Sequence, residues 1–146
     1  MQCGEFSTSD LPARDQLQAW QAWYGRVFDA SPLHSDDEGF SARARAWTLN
    51  GFTLNHVTAP GLSVVRTKTL LRREPIDHWA ITLSERRVTW LDSGSATLAA
   101  PARLPFVVSL GQPMKNEREA DDRIQLYLSR DSFHGIATLL DACCMK

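Results

Sequence analysis

The sequence is short of cysteine, of net charge and of long apolar runs, and each shortage removes a class of protein. Its three cysteines, Cys3, Cys143 and Cys144, stand at the two ends of a 146-residue chain. An odd count in that arrangement is no disulfide framework, and no second Cys/His pair follows at metal-ligand spacing. The expectation is a reduced, cytoplasmic protein with incidental thiols. Lys+Arg number 16 against 17 Asp+Glu, for a net charge of −1. A domain that grips nucleic acid by itself carries a basic excess, because phosphate contacts supply most of the affinity. The two basic pairs, Arg72-Arg73 and Arg86-Arg87, lie beside Glu74 and Glu85 and read as solvated strand ends before they read as a phosphate patch. No run reaches the ~18 apolar residues of a membrane helix. The start MQCGEFSTSD lacks the basic and apolar regions of a signal peptide.

The usual catalytic signatures are missing as well. There is no Gly-rich phosphate loop, no G-x-S-x-G elbow and no H-E-x-x-H. The four histidines, His34, His56, His78 and His134, are scattered so that no two share a strand. A metal-binding barrel sets two histidines at alternate positions of one strand, facing one way. The chain is therefore expected to hold no metal or other cofactor, to carry no catalytic residue and not to be an enzyme.

What is present is a hydrophobic content of 43%, ordinary for a globular domain. A chain of this length fits one domain over residues 1–146 and buries about two-thirds of its unfolded surface. Residues 10–29 read as a helix, capped by Ser9 or Asp10, with Pro12 in its first turn. Leu17, Trp20, Tyr24, Val27 and Phe28 form its apolar stripe. Residues 31–39 read as a loop, and the period then drops to two. Phe40, Ala42, Ala44 and Ala46 alternate with polar or bulky neighbours, Asn50-Gly51 marks a hairpin, and Pro60-Gly61 marks the next turn. Short strands follow over 62–67, 78–84, 87–91, 95–100, 104–110 and 123–128, with 112–122 as a charged, mobile loop. Ser129 or Asp131 caps a last helix whose apolar face is Phe133, Ile136, Leu139, Leu140 and Cys143. The fold class is mainly β, a sandwich or barrel with an N-terminal and a C-terminal helix.

Candidate ligand residues follow from strand phase. His56 runs in phase with Phe52 and Leu54 and is expected to point inward. A core imidazole and a ligand group in a barrel mouth both fit that position. Arg66 runs in phase with Leu62 and Val64, and an inward arginine is either paired or waits for an anion such as a carboxylate. Trp79, in phase with Ile81 and Leu83, and Trp90, in phase with Val88, are either pocket walls or plain core.

The order of segments is also familiar. The opening Phe6-Ser7-Thr8-Ser9-Asp10-Leu11-Pro12 before a Trp-rich helix resembles the start of the N-terminal sensor domain of AraC-type transcriptional regulators. Ile124-Gln125-Leu126-Tyr127-Leu128-Ser129-Arg130-Asp131, a last strand running into a helix, resembles the end of that domain's barrel. The resemblance implies a cupin-like jelly-roll barrel with flanking helices that binds a small effector, forms a homodimer, or both. It also implies that DNA is contacted only by helix-turn-helix units C-terminal to the sensor, and that this chain stops where the linker begins, at Met145-Lys146. It carries no effector residue to a numbered position, so His56, Arg66, Trp79 and Trp90 rest on strand phase alone. Two other readings stay open at this point: a small metal-dependent cupin enzyme, and a stand-alone dimerisation or binding module.

Overall fold

A computed structural model describes residues 1–144. Met145 and Lys146, on which the expectation of a chain stopped in its linker rests, lie outside the described residues. In chain order the elements are β1 (Gln2–Ser7), α1 (Ala13–Tyr24), β2 (Asp29–Pro32), β3 (Arg43–Leu49), β4 (Phe52–Ala59), β5 (Leu62–Arg66) and α2 (Lys68–Arg73). They continue with β6 (His78–Ser84), β7 (Thr89–Asp92), β8 (Thr97–Ala100), β9 (Phe106–Ser109), β10 (Met114–Arg118) and β11 (Asp121–Ser129). A 3-10 turn (His134–Ile136) then leads into α3 (Ala137–Cys143).

The strands form two sheets, ordered β1-β3-β4-β11-β6-β9 and β2-β5-β10-β7-β8. From β4 onward the chain crosses between sheets at every connection except the β7–β8 hairpin. That eight-strand path, with four strands in each sheet, is the jelly roll, the fold of cupin domains. Strands β1 and β3 extend the first sheet and β2 the second. Every ladder is antiparallel, as a jelly roll requires.

Several local expectations hold. Asn50-Gly51 turns β3 into β4 with Leu49 opposite Phe52. Trp20, Tyr24 and Phe28 are buried with residues from both sheets, so the aromatic stripe of α1 fills the core. Phe6 stacks on Trp23 with centroids 5.3 Å apart. Buried Thr8 ties the entry of α1 to the chain before β3: its hydroxyl donates to the carbonyl of Phe40 at 2.6 Å and accepts from the Ala42 amide at 2.9 Å.

Other expectations are corrected. The first helix is shorter, starting after Pro12 with no side-chain cap, because Ser9 instead meets the Ser41 hydroxyl at 2.8 Å. It ends at Tyr24, and Val27 and Phe28 follow in a turn whose amides both donate to the Tyr24 carbonyl. Part of the loop expected over 31–39 is β2, whose Ala30 carbonyl accepts from Gln21 of α1 at 2.8 Å. The charged loop expected over 112–122 contains β10, the central strand of the second sheet. Its inward residues are Met114, Asn116 and Arg118, all buried, while Lys115 and Glu117 face outward. A strand with a polar inner face shows no apolar alternation, so it reads as a loop. The segment after β11 is a 3-10 turn and a short helix without side-chain caps, and of the expected apolar face only Leu140 is buried.

Gly51 holds the first hairpin with φ at +85°, and an added Cβ would meet Ser132 Cβ at 2.4 Å. Gly51→Ala is expected to lower stability by about 1–3 kcal/mol. Urea unfolding measures it, and an unchanged midpoint contradicts the assignment.

Candidate functional site

The open end of the barrel is organised by one buried cation. Arg66 closes β5 on its inner face and is 0% exposed, as its phase with Leu62 and Val64 requires. It does not wait for an anion. Its Nε donates to the carbonyl of Leu110, its Nη1 to Val27 at 2.8 Å, and its Nη2 to Glu74 at 2.7 Å and Ile76 at 3.3 Å. Burial draws the guanidinium below the ordinary arginine range, and the Glu74 carboxylate opposes that. A planar fork of five donors suits such a carbonyl cage, where an ammonium with three donors does not.

Three of those carbonyls belong to Val27, Ile76 and Leu110, which line a pocket of about 310 Å³ at the barrel mouth. Trp23 and Tyr24 of α1 form a further wall, and Thr53, Asn55, His78 and Tyr127 come from the inner face of the first sheet. Across that sheet Thr53 pairs with Tyr127, which pairs with Ala80, and Asn55 pairs with Gln125. The Tyr24 hydroxyl donates to Gln125 Oε1 at 3.0 Å and lies 3.5 Å from the Tyr127 hydroxyl. Burial first, and then Tyr24, raises the Tyr127 phenol well above its usual value, so it stays neutral. Asn55 Oδ1 and His78 Nδ1 are buried with no hydrogen-bond partner. An orphaned polar atom inside a protein costs on the order of 1–3 kcal/mol, and that cost is relieved when a ligand or water supplies the partner.

The candidates drawn from strand phase do not meet here. His56 is corrected to the outer face of β4, because the inward set on that strand is Asn55, Val57 and Ala59. Trp79 is buried, but also on the outer face, packed with Leu128 and Leu140 of the C-terminal segment. Its Nε1 donates to Asp141 at 2.9 Å and the Arg130 guanidinium sits 4.3 Å from the ring centroid. Arg130 also bonds Asp77 at 2.8 Å and reaches Asp141, which with Asp77 raises its pKa. Trp90 is 62% exposed, outside the second sheet. Of the four, Arg66 bears on the site, from behind its wall, through the carbonyls of Val27, Ile76 and Leu110. The residues that line the inside (Asn55, His78, Gln125 and Tyr127, with Arg118 and Arg123 deeper) are polar ones at alternate strand positions, and that period of two was the signal available for them.

The inward donor set does not fit a metal ion of the cupin type. Guanidiniums and amides occupy the positions where imidazoles and carboxylates would be needed, and among the described residues no group of three His, Cys, Asp or Glu side chains gathers. No helix among the described residues is long and apolar enough to cross a membrane.

This geometry has a solved counterpart. The chain superposes on the AraC-like transcriptional activator CuxR with a TM-score of 0.84 and 27% identity, over 94% of its own length. In fold, the chain is similar to part of an AraC-like regulator. The chain spans about half, 52%, of the CuxR chain. More distant solved structures are a cupin 2 conserved barrel domain protein from Salinispora arenicola (TM-score 0.44, 16% identity, 77% of this chain and 84% of that one) and the EutQ protein of Clostridium difficile (0.44, 5%, 67% and 75%). No family model matches the sequence, and no curated protein does.

Arg66→Met removes the donor from the carbonyls of Val27, Ile76 and Leu110, while that of Glu74 keeps the Ile76 amide at 2.8 Å. The expected loss is at least about 3 kcal/mol, with Arg66→Lys recovering only part of it. Chemical denaturation of both variants measures this, and a wild-type midpoint for Arg66→Met contradicts the clamp.

Proposed function

We propose that this AraC-like domain is the sensing domain of a transcriptional regulator and takes a small organic molecule into the pocket at its barrel mouth. The observation that carries the reading is the pocket itself: mostly apolar walls, with two lining residues, Asn55 and His78, that each carry a buried and unpartnered polar atom. Ligand sites have this composition, apolar surface for affinity and few polar groups for orientation. At about 310 Å³ the pocket suits a small metabolite. The likeness to a transcriptional activator supports the regulatory half of the reading. DNA contact then belongs to a part of the regulator outside this chain, in keeping with the net charge of −1.

The pocket's walls supply a route for the signal. Trp23, Tyr24 and Val27 belong to α1 or its exit, so an occupant that packs against them biases the seating of that helix. His78 precedes Trp79, whose indole holds Asp141 of α3 from the other face of the same strand. A ligand that binds one arrangement of these helices better than another shifts their populations by its differential affinity. The reading includes a homodimer formed through the helices outside the barrel, and the exposed Ile136 and Leu139 of the C-terminal segment support it.

The test is thermal unfolding of the domain against a panel of monocarboxylates, sugars and neutral aromatic compounds. A compound present at 100 times its dissociation constant adds about 2.7 kcal/mol of stability. At least one class is expected to stabilise the wild type and to bind Asn55→Leu at least about tenfold more weakly, the equivalent of ~1.4 kcal/mol. No stabilisation by any class, or stabilisation that Asn55→Leu leaves intact, overturns the reading.

A further inference from the structure

Below the pocket, the inner face of the barrel carries two more arginines. Arg118 of β10 is 4% exposed and Arg123 of β11 is 2% exposed. Each guanidinium makes one side-chain hydrogen bond to a neutral group: Arg118 Nη1 to Asn116 Oδ1 at 3.3 Å, and Arg123 Nη2 to Thr89 Oγ1 at 3.2 Å. Each also presents a buried nitrogen with no partner, Nη2 of Arg118 and Nη1 of Arg123. Among the described residues neither forms an ion pair within 4.0 Å. Two like charges inside one barrel, each short of a donor's partner, are an expensive arrangement without a counterion.

The neighbouring groups supply that counterion only in part: Asp121 attracts Arg123 without forming an ion pair with it. Asp121 is the nearest buried carboxylate in sequence, its side chain 1% exposed. Its oxygens already accept from the backbone amides of Arg86 at 2.9 Å, Arg87 at 2.8 Å and Asp122 at 2.9 Å. The phenol of Tyr127 stays neutral. Burial, and then the charge of Arg118, press the Arg123 pKa well down. An arginine does not give up its proton in a protein, so the stress stands as a demand for negative charge. Two guanidiniums against one carboxylate leave one positive charge over, which a monoanion neutralises. Each arginine keeps one unpartnered nitrogen to donate, and a carboxylate has two oxygens to accept. Tyr127, Gln125 and Arg123 occupy alternate positions of β11 and line one continuous inner face from the mouth downward.

We propose that Arg118 and Arg123 form an anion seat in the depth of the barrel that takes a carboxylate. The seat rests on the reading of the barrel as a ligand chamber and names its ligand class: a monocarboxylate, either the acidic end of the sensed molecule or a free small acid. The orphaned nitrogens in the depth and the orphaned Asn55 Oδ1 and His78 Nδ1 at the mouth then belong to one binding site.

Thermal unfolding of the wild type, Arg118→Met and Arg123→Met in acetate, hexanoate, hexan-1-ol and inorganic phosphate, at ionic strength matched with sodium fluoride, tests the seat. Carboxylates are expected to raise the wild-type Tm and neither Met variant's. Methionine fills much of the arginine volume without its charge, so in fluoride alone the Met variants are expected to unfold at or above the wild-type temperature. Stabilisation by both acetate and hexanoate identifies a seat for free small acids. Stabilisation by hexanoate alone, at concentrations at least tenfold below any effect of acetate, identifies the acidic end of a larger ligand. Phosphate acting without the carboxylates, hexan-1-ol acting as well as hexanoate, carboxylate stabilisation surviving in both Met variants, or no carboxylate effect at all overturns the seat. A neutral ligand that needs Asn55 and ignores both arginines overturns the seat while leaving the pocket standing. If a Met variant does not fold, Arg123→Lys serves: it keeps the charge but loses the fork, and the carboxylate effect is expected to weaken at least tenfold.

Discussion

The guanidinium of Arg66 gathers backbone carbonyls from three stretches that share no strand: the exit of α1 at Val27, the link after α2 at Glu74 and Ile76, and the end of β9 at Leu110. The Glu74 carbonyl also accepts from the Ile76 amide; the other three lie outside the strand ladders, and buried carbonyls without donors oppose folding. One cation satisfies them together and fixes the rim of the barrel. The rim in turn defines the pocket, since Val27, Ile76 and Leu110 line it. The position of α1, the path into β6 and the shape of the mouth thus rest on a single side chain. That makes Arg66 part of the scaffold and leaves ligand contact to other groups.

Two layers meet on the first sheet. Its inner face carries Asn55, Gln125, Tyr127 and Arg123 around the chamber, and its outer face carries Trp79 and Leu128 under α3. Because neighbours on a strand alternate between these faces, a change inside is one residue away from the helix outside. Arg130 strengthens the outer layer by bridging Asp77, Asp141 and the Trp79 ring. The barrel interior and the C-terminal helix therefore meet on β6 and β11, which are neighbours in the first sheet.

Much of the architecture was legible in the sequence. The Asn50-Gly51 turn, the aromatic stripe of α1 and the inward phase of Arg66 each follow from one local rule and survive in the fold. The site was far less legible, for two physical reasons. Strand β4 is covered on both sides, with Phe52 against Phe133 outside and Val57 in the core, so apolar residues occur in both phases and His56 took the wrong one. Trp79 is plain core, one of the two readings open for it, but in the outer cluster under α3, since Ala80 and Thr82 hold the inward positions of β6. Strand β10 failed the opposite way: its inner face is Asn116 and Arg118 behind Met114, and a polar interior looks like a solvated loop. Both errors trace to a barrel whose interior mixes polar side chains with the apolar core and whose outer face is partly covered by a second apolar cluster.

Anomalous diffraction from crystals of the domain grown in sodium bromide tests the central claim most directly, because bromide is a monoanion small enough to enter the barrel and is located without reference to any model of the ligand. The account predicts a bromide inside the barrel within hydrogen-bonding reach of both Arg118 and Arg123. Bromide bound at surface cations while the barrel interior carries none would contradict it.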